Sequence, residues 1–367
     1  MIALLGAALA ALLFTLVLTP SFIRLFRHLG WGQIIRVDGP TTHHVKAGTP
    51  TKGGIVFITG AVFGYFVGHL VAPGTRITAS GLLVIFLMVG LGLVGFLDDF
   101  TKTRRGRSLG LTGRQKIIGQ VAVTSAFSVL ALLFADPTTG LTPASTSISF
   151  TRDIGWLNLF AFGGIIGIIL YVAWINLLTV AASNAVNLTD GADGLAAGAL
   201  IISLTAYVFI GMFQSRQACQ NLPVGDELAY KCLVVRDPLD LAIIAAALSA
   251  SLVGYLWYSA PPAKMFMGDV GSLGLGGALA SLAILTRTEL LLLVIGGLYL
   301  SVTGSVILQV GYFKLTRGKR LFLIAPVHHH LEMKGWPEVT ITIRFWIITG
   351  LCMCAGVGIF YTTWLAR

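Results

Sequence analysis

The stretch Gly81-Leu-Leu-Val-Ile-Phe-Leu-Met-Val-Gly-Leu-Gly-Leu-Val-Gly95-Phe96-Leu97-Asp98-Asp99-Phe100 decides the fold. An apolar run long enough to cross a bilayer stops abruptly at two adjacent carboxylates. A carboxylate at the centre of a bilayer costs about 2.5–3.5 kcal/mol on insertion scales and much less at its edge, so the pair belongs at a membrane surface. Adjacent aspartates repel and need a reason; taken alone, the pair would also fit a water-interface marker that caps the loop. Its partner set argues for more. Asp190, Asp193 and Asp269 also stand at the ends of apolar runs, within Asn187-Leu-Thr-Asp-Gly-Ala-Asp-Gly194 and Phe266-Met-Gly-Asp269.

Working outward, the 367-residue chain is 56% hydrophobic and only 11% charged. Its mean hydropathy is +0.86, and apolar runs of this kind recur along it, which implies a polytopic membrane protein. Each span must satisfy its own backbone hydrogen bonds in lipid, so the expected fold is all-α, and 44 glycines suit close helix packing. Ten transmembrane helices are expected, at about 2–23, 54–72, 79–97, 116–135, 159–181, 192–213, 239–258, 272–286, 289–313 and 343–365. The first lacks a positive N-terminal region and is followed by Arg24 and Arg27, so it reads as a retained helix. Neither an internal repeat nor a soluble domain is visible, and one membrane domain spans 1–367.

An even number of spans puts both termini on one side. The loops after odd-numbered spans then hold 18 of the 25 lysines and arginines. By the positive-inside rule those loops are cytoplasmic, both termini are extracytoplasmic, and all five aspartates face the cytoplasm. The net charge of +10 reflects this topology and anionic ligands, with no nucleic acid implied. On the opposite side, 135–158 reads as irregular or hairpin-like, and 214–238 holds Cys219 and Cys232. An oxidising compartment permits a bond between those two cysteines, and a Cys219–Cys232 disulfide is predicted. Cys352 and Cys354 lie in the last apolar run, and the four cysteines make no metal-ligand pattern.

Residues capable of chemistry cluster in the five cytoplasmic loops. The first, His43-His44-Val-Lys46-Ala-Gly48-Thr-Pro-Thr51-Lys52-Gly-Gly54, is basic and glycine-rich, suited to backbone approach to a phosphate, although its spacing is not a Walker A loop. A solvated turn into helix 2 fits it equally well. The second carries Lys102, Arg104, Arg105, Arg107, Arg114 and Lys116 after Asp98-Asp99; most of these are ordinary positive-inside charge. In the third, Asn184, Asn187, Asp190 and Asp193 recur every three residues, which in a helical turn keeps them on neighbouring faces at the start of helix 6. Helix capping would explain one of the four. The fourth, Lys264-Met-Phe266-Met-Gly268-Asp269-Val-Gly-Ser272, pairs a carboxylate with an aromatic able to stack on a base. The fifth, Ala325-Pro326-Val327-His328-His329-His330-Leu331-Glu332, runs on to Lys334, Trp336 and Glu338; its histidines suit phosphate or sugar hydroxyls better than zinc. Carboxylates without thiolates favour a hard cation such as Mg²⁺, which a diphosphate among several aspartates requires for charge balance.

This combination resembles the MraY family of phospho-N-acetylmuramoyl-pentapeptide transferases, within the polyprenyl-phosphate N-acetylhexosamine-1-phosphate transferase superfamily. Asp98-Asp99, the Asn187–Gly194 segment and Phe266-Met-Gly-Asp269 resemble superfamily motifs, and Pro326-Val-His328-His329-His330-Leu-Glu332 with Gly335-Trp336 resembles the muramoyl-pentapeptide branch. The resemblance covers nearly the whole chain. It implies Mg²⁺-dependent transfer of phospho-N-acetylmuramoyl-pentapeptide from UDP-MurNAc-pentapeptide to undecaprenyl phosphate, giving lipid I and UMP, in a bacterial plasma membrane. A homodimer is compatible with it.

It further implies a catalytic set of Asp98, Asp99 and Asp269. Asp269 is the main metal ligand, Asp190 joins it, and Asp98 is the favoured base; a two-step route through a covalent intermediate is the alternative. Lys46, Thr51, Asn184, Asn187, Asp190, Gly191, Asp193, Phe266, His328, His329 and His330 would bind substrate, with Lys102 or Lys116 as the basic partner of the aspartate pair. A transferase for another UDP-N-acetylhexosamine is the runner-up, disfavoured by the histidine motif. A secondary transporter would carry midspan charges and two related halves, which the chain lacks.

Overall fold

The computed structural model describes residues 1–32, 46, 48–105, 109–221 and 229–366. His43, His44, Arg36, Arg107 and Arg367, which the sequence places in loops or at the C-terminus, lie outside the described residues.

Among the described residues, ten helices are long and apolar enough to cross a bilayer. They are α1 (Ile2–His28), α2 (Gly54–Val71), α3 (Ala79–Arg105), α4 (Gly113–Leu133), α5 (Gly164–Thr189), α6 (Leu195–Arg216), α7 (Pro238–Ser259), α8 (Gly268–Leu285), α10 (Gly297–Leu315) and α12 (Glu338–Leu365). Two short helices complete the set, α9 (Leu292–Ile295) and α11 (Val327–Met333). The expected ninth span is thus broken at Gly296, and the histidine loop forms a short helix, α11. The 135–158 segment contains a small antiparallel hairpin, β1 (Ser147–Ser149) with β2 (Asp153–Asn158).

At the centre stands α8, whose residues from Val270 to Leu285 are all buried. It packs on α3, α5 and α2, while in α1, α4, α5, α10 and α12 no more than about a third of the residues are buried. Small residues set how closely helices approach: Gly60, Gly64 and Gly68, four apart on α2, face Thr15, Ala11, Ala7 and Ala3 of α1. That is the small-residue spacing by which helices associate in lipid.

One end of the bundle is tied by polar contacts among connecting segments. Asp240 of α7 accepts from Tyr65 (3.0 Å) and from the Thr78 hydroxyl (2.6 Å), and lies 3.1 Å from His69 Nε2. The predicted Cys219–Cys232 disulfide is present at this end, with a Cα separation of 4.8 Å. The C-terminal turn reaches it too, since Trp364 Nε1 donates to the Lys231 carbonyl at 3.1 Å. So does the start of α1, where Gly6 packs on Val71. The five aspartates are gathered at the other end.

Candidate active site

Asp98 and Asp99 do not terminate their helix. α3 runs on to Arg105, and this continuation places Lys102, three and four residues further on, over both carboxylates. Lys102 Nζ lies 2.6 Å from Asp98 Oδ2 and 3.3 Å from Asp99 Oδ1. It also lies 3.1 Å from Asp269 Oδ2, while Lys116 in the first turn of α4 approaches the same oxygen at 2.9 Å. Thr112 and Gln115 form a capping box that fixes the start of α4 and so holds Lys116 in place. Both basic candidates therefore enter the cluster, with Lys102 the one that touches the aspartate pair.

Asp269 sits in the first turn of α8, where the free N–H groups favour negative charge. Its Oδ1 accepts from Asn187 Nδ2 at 2.7 Å, and that amide also donates to Ser272 Oγ at 2.8 Å. Backbone closeness brings the two aspartate-bearing helices together. A Cβ on Gly95 would fall 2.1 Å from the Asp269 carbonyl oxygen, so only glycine lets α3 pass there. The remaining oxygens of the pair are held by backbone: Leu111 N donates to Asp98 Oδ1 at 2.8 Å and Val270 N to Asp99 Oδ2 at 3.3 Å. Oxygens of Asp98, Asp99 and Asp269 all lie within 4.8 Å of one another. This set of hard oxygen donors around a bound ammonium suits a hard cation.

Asp190 caps α5 beside this cluster. Burial, reinforced by the charges of Asp269, Asp99 and Asp193, pushes its carboxyl up to about 8. It is not one of the three converging carboxylates. Because α5 extends to Thr189, Asn184 and Asn187 belong to helix 5 and not to the start of helix 6 as the sequence spacing suggested. Of the two, Asn184 turns away, donating to Gln120 Oε1 of α4 at 3.1 Å.

A second group lies beside the first. Lys46 Nζ contacts Asp193 Oδ1 at 2.7 Å and Glu338 Oε1 at 2.7 Å. Burial opposes the charge on Lys46, but the hydrogen bonds it donates to Asp193 and Glu338 prevail and its pKa rises above the ordinary lysine value. A third group comes from α11. His328 is fully buried and packs against Gly191, where a Cβ would fall 2.2 Å from His328 Nε2 and 3.0 Å from His329 Nε2. His329 Nδ1 lies 2.9 Å from Glu332 Oε2. His330 faces elsewhere, accepting from Leu323 N at 3.1 Å and packing on Phe322. The segment from Pro50 to Gly54 runs beside the Asp269 loop, for Phe266 N donates to the Pro50 carbonyl and Gly53 N to the Phe266 carbonyl, each at 2.8 Å. Thr51 is buried against Gly268.

Two residues escaped the sequence reading. Lys52 is wholly buried at a positive φ of 72°, donates to Thr103 Oγ1 at 2.9 Å and lies 3.9 Å over the Trp31 ring. Burial lowers its pKa to about 8. Glu338, at the first position of α12, is the other; an acid directly after Pro337 is the helix-start signal in the sequence that marks it.

Comparison with known proteins fits this arrangement. Residues 81–287 match the family described as glycosyl transferase family 4, a span that includes all five aspartates. Over its full length the chain is 58% identical to the phospho-N-acetylmuramoyl-pentapeptide-transferase of Clavibacter sepedonicus, covering 100% of both chains. The chain belongs to the phospho-N-acetylmuramoyl-pentapeptide transferase (MraY) family. The protein of that name from Arthrobacter sp. (strain FB24) is 56% identical over 100% of this chain and 99% of its own. That from Micrococcus luteus is 55% identical over 95% and 93%. Like the rest of the MraY family, this chain is an enzyme, a transferase of the membrane.

Proposed function

We propose that this transferase moves phospho-N-acetylmuramoyl-pentapeptide from UDP-MurNAc-pentapeptide to undecaprenyl phosphate, forming lipid I and UMP. The observation that carries the proposal is the convergence of Asp98, Asp99 and Asp269 on Lys102 at one end of the bundle. The positive-inside distribution supports a cytoplasmic placement of that end, with both termini extracytoplasmic in a bacterial plasma membrane. A cytosolic nucleotide and a lipid phosphate can meet there.

The donor set fits Mg²⁺. Asp269 with Asp99 would hold it, with Asp190 adjoining, and when bound it neutralises the diphosphate and favours the departure of UMP. This chain's own groups do the rest. Asp98, with one oxygen anchored by Leu111 N, is positioned to take the proton of the lipid phosphate. An oxygen of that phosphate then attacks the phosphorus joined to the sugar, and the phosphoanhydride bond to UMP breaks. One phosphoanhydride replaces another, so the exchange is near isoenergetic. Lys102 and Lys116 orient and neutralise phosphate oxygens. Asn187 fixes Asp269, and Phe266, His328 and His329 line the nucleotide-sugar side.

The deciding experiment measures UMP release from UDP-MurNAc-pentapeptide by the purified protein with a polyprenyl phosphate and Mg²⁺. Release that needs all three components is expected. Release from UDP-N-acetylglucosamine alone would establish the runner-up transferase instead, and release from neither donor would refute the reading.

A further inference from the structure

The Lys46 ammonium has three N–H bonds, and three carboxylate oxygens accept them: Asp193 Oδ1 at 2.7 Å, Glu338 Oε1 at 2.7 Å and Glu338 Oε2 at 2.8 Å. Its donors are fully used inside the protein, so in this arrangement Lys46 braces the site and does not address a ligand. The same Glu338 Oε1 accepts from Asp193 N at 2.8 Å. One carboxylate at the head of α12 therefore binds both a side chain from the α1–α2 connection and the backbone of the α5–α6 turn.

Each arm leads onward to the same place. Asp193 Oδ2 accepts from Ala263 N at 3.0 Å, at the start of the loop between α7 and α8. Lys46 stands at the head of the other arm: its carbonyl accepts from Thr49 N at 3.2 Å, and the next residue, Pro50, accepts from Phe266 N at 2.8 Å. The loop carrying Phe266 is thus gripped on two sides by groups that both terminate at Glu338. Asp269, by contrast, has its own supports in Lys102, Lys116 and Asn187.

We propose that Glu338 is a positioning residue which, through Lys46 and Asp193, sets the loop 260–268 and with it the seat of the nucleotide. The inference rests on the transferase reading above, in which Phe266 lines the nucleotide-sugar side. A charge-assisted contact holds each arm, so its loss weakens nucleotide binding while the separately supported carboxylate cluster keeps its metal response.

The test compares Glu338→Gln, Lys46→Met and the double variant of the full chain in detergent. For Glu338→Gln we expect KM for UDP-MurNAc-pentapeptide to rise about tenfold, the effect of one charge-assisted hydrogen bond. The Mg²⁺ concentration for half-maximal turnover should stay at its wild-type value. The double variant should fall well short of the product of the two single effects, because Glu338 and Lys46 share the contact that each substitution removes. Hydrogen exchange gives a readout without turnover: the amides of Ala263 and Phe266 should exchange faster in both single variants, with amides of α8 unchanged. Should Glu338→Gln fail to fold, Lys46→Met carries the same exchange test. A wild-type KM with unchanged exchange at Ala263 and Phe266 would overturn the proposal. So would multiplicative effects in the double variant, or a uniform rise in exchange along the chain. None of these results bears on whether the wild-type enzyme releases UMP, so failure of the inference and failure of the transferase reading stay separate.

Discussion

Replacing Gly95 by alanine tests the central geometry with a single methyl group. The added Cβ would stand 2.1 Å from the Asp269 carbonyl oxygen, 2.3 Å from its carbonyl carbon and 2.7 Å from Val270 N. All three are backbone atoms at the start of α8, so no side chain can swing aside. Relief requires α3 and α8 to part by at least about 1 Å, since a Cβ essentially never stands closer than 3.0 Å to another heavy atom. Overpacking of this kind costs about 1–3 kcal/mol, which a bundle of ten helices survives. Catalysis is less tolerant: a 1 Å displacement of reacting groups lowers rate by about 10²-fold. Asp98 and Asp99 ride on α3 and Asp269 on α8, so the methyl group separates the carboxylates themselves. We expect Gly95→Ala to be a folded protein with a modestly lowered Tm and turnover reduced about 100-fold in the UMP-release assay. A folded variant with wild-type turnover would show that the juxtaposition of these helices does not set the chemistry.

The remaining predictions address individual groups. Asp269→Asn should abolish most turnover and also remove the increase in Tm caused by Mg²⁺, measured by thermal unfolding; an undiminished Mg²⁺ response would exclude Asp269 as a principal ligand. Asp98→Asn should lower turnover by about 10²–10⁴-fold with nucleotide affinity kept, whereas trapping of a phosphomuramoyl-enzyme without acceptor would favour a two-step route. For Asp190, the folded pKa of about 8 lies above the unfolded value, so the folded state holds a proton that the unfolded chain releases. Metal-free stability from this group is full below about pH 4 and falls as pH rises through about 8. Asp190→Asn should flatten that decline in Tm, and equal slopes for the two proteins would contradict it. The Cys219–Cys232 bond closes a separation of 13 residues and constrains the unfolded chain by about 3 kcal/mol in the chain-entropy model. It lies at the end of the bundle away from the carboxylates, so reduction should lower Tm before it touches turnover; simultaneous loss of both would refute that separation.

The spans were legible in the sequence because hydropathy needs only composition over about twenty residues. Among the described residues ten spans appear, with α3 and α5 running on past their apolar cores into polar residues, α5 starting at Gly164 instead of 159, and the ninth interrupted at Gly296. Asp98 and Asp99 illustrate the limit. Their change of polarity reads as an end, yet the i, i+3 and i, i+4 spacing to Lys102 is satisfied only if α3 continues past them. The break at Gly296 was hidden because the whole run from 289 to 313 is apolar on average. Among site residues, motif clusters marked Asp269, Asn187 and Lys102 correctly as neighbours in space. Lys46 and Asp193 were marked individually, but their bond to each other crosses 147 residues of chain, a distance over which spacing carries no signal. Glu338 and Lys52 were missed for the same reason: each acquires its meaning only from partners that tertiary packing supplies.

The seclusion of α8 has a consequence for life in a real membrane. Eighty-nine per cent of this helix is enclosed by protein, against 22% for α10 and for α12. Lateral pressure, acyl-chain order and bilayer thickness act on the outer ring, which can tilt to accommodate them. The inner helix is insulated from those forces, and Asp269 rides at its head. Changes in lipid composition then act first on the outer helices, while Asp269 and the groups around it keep their register.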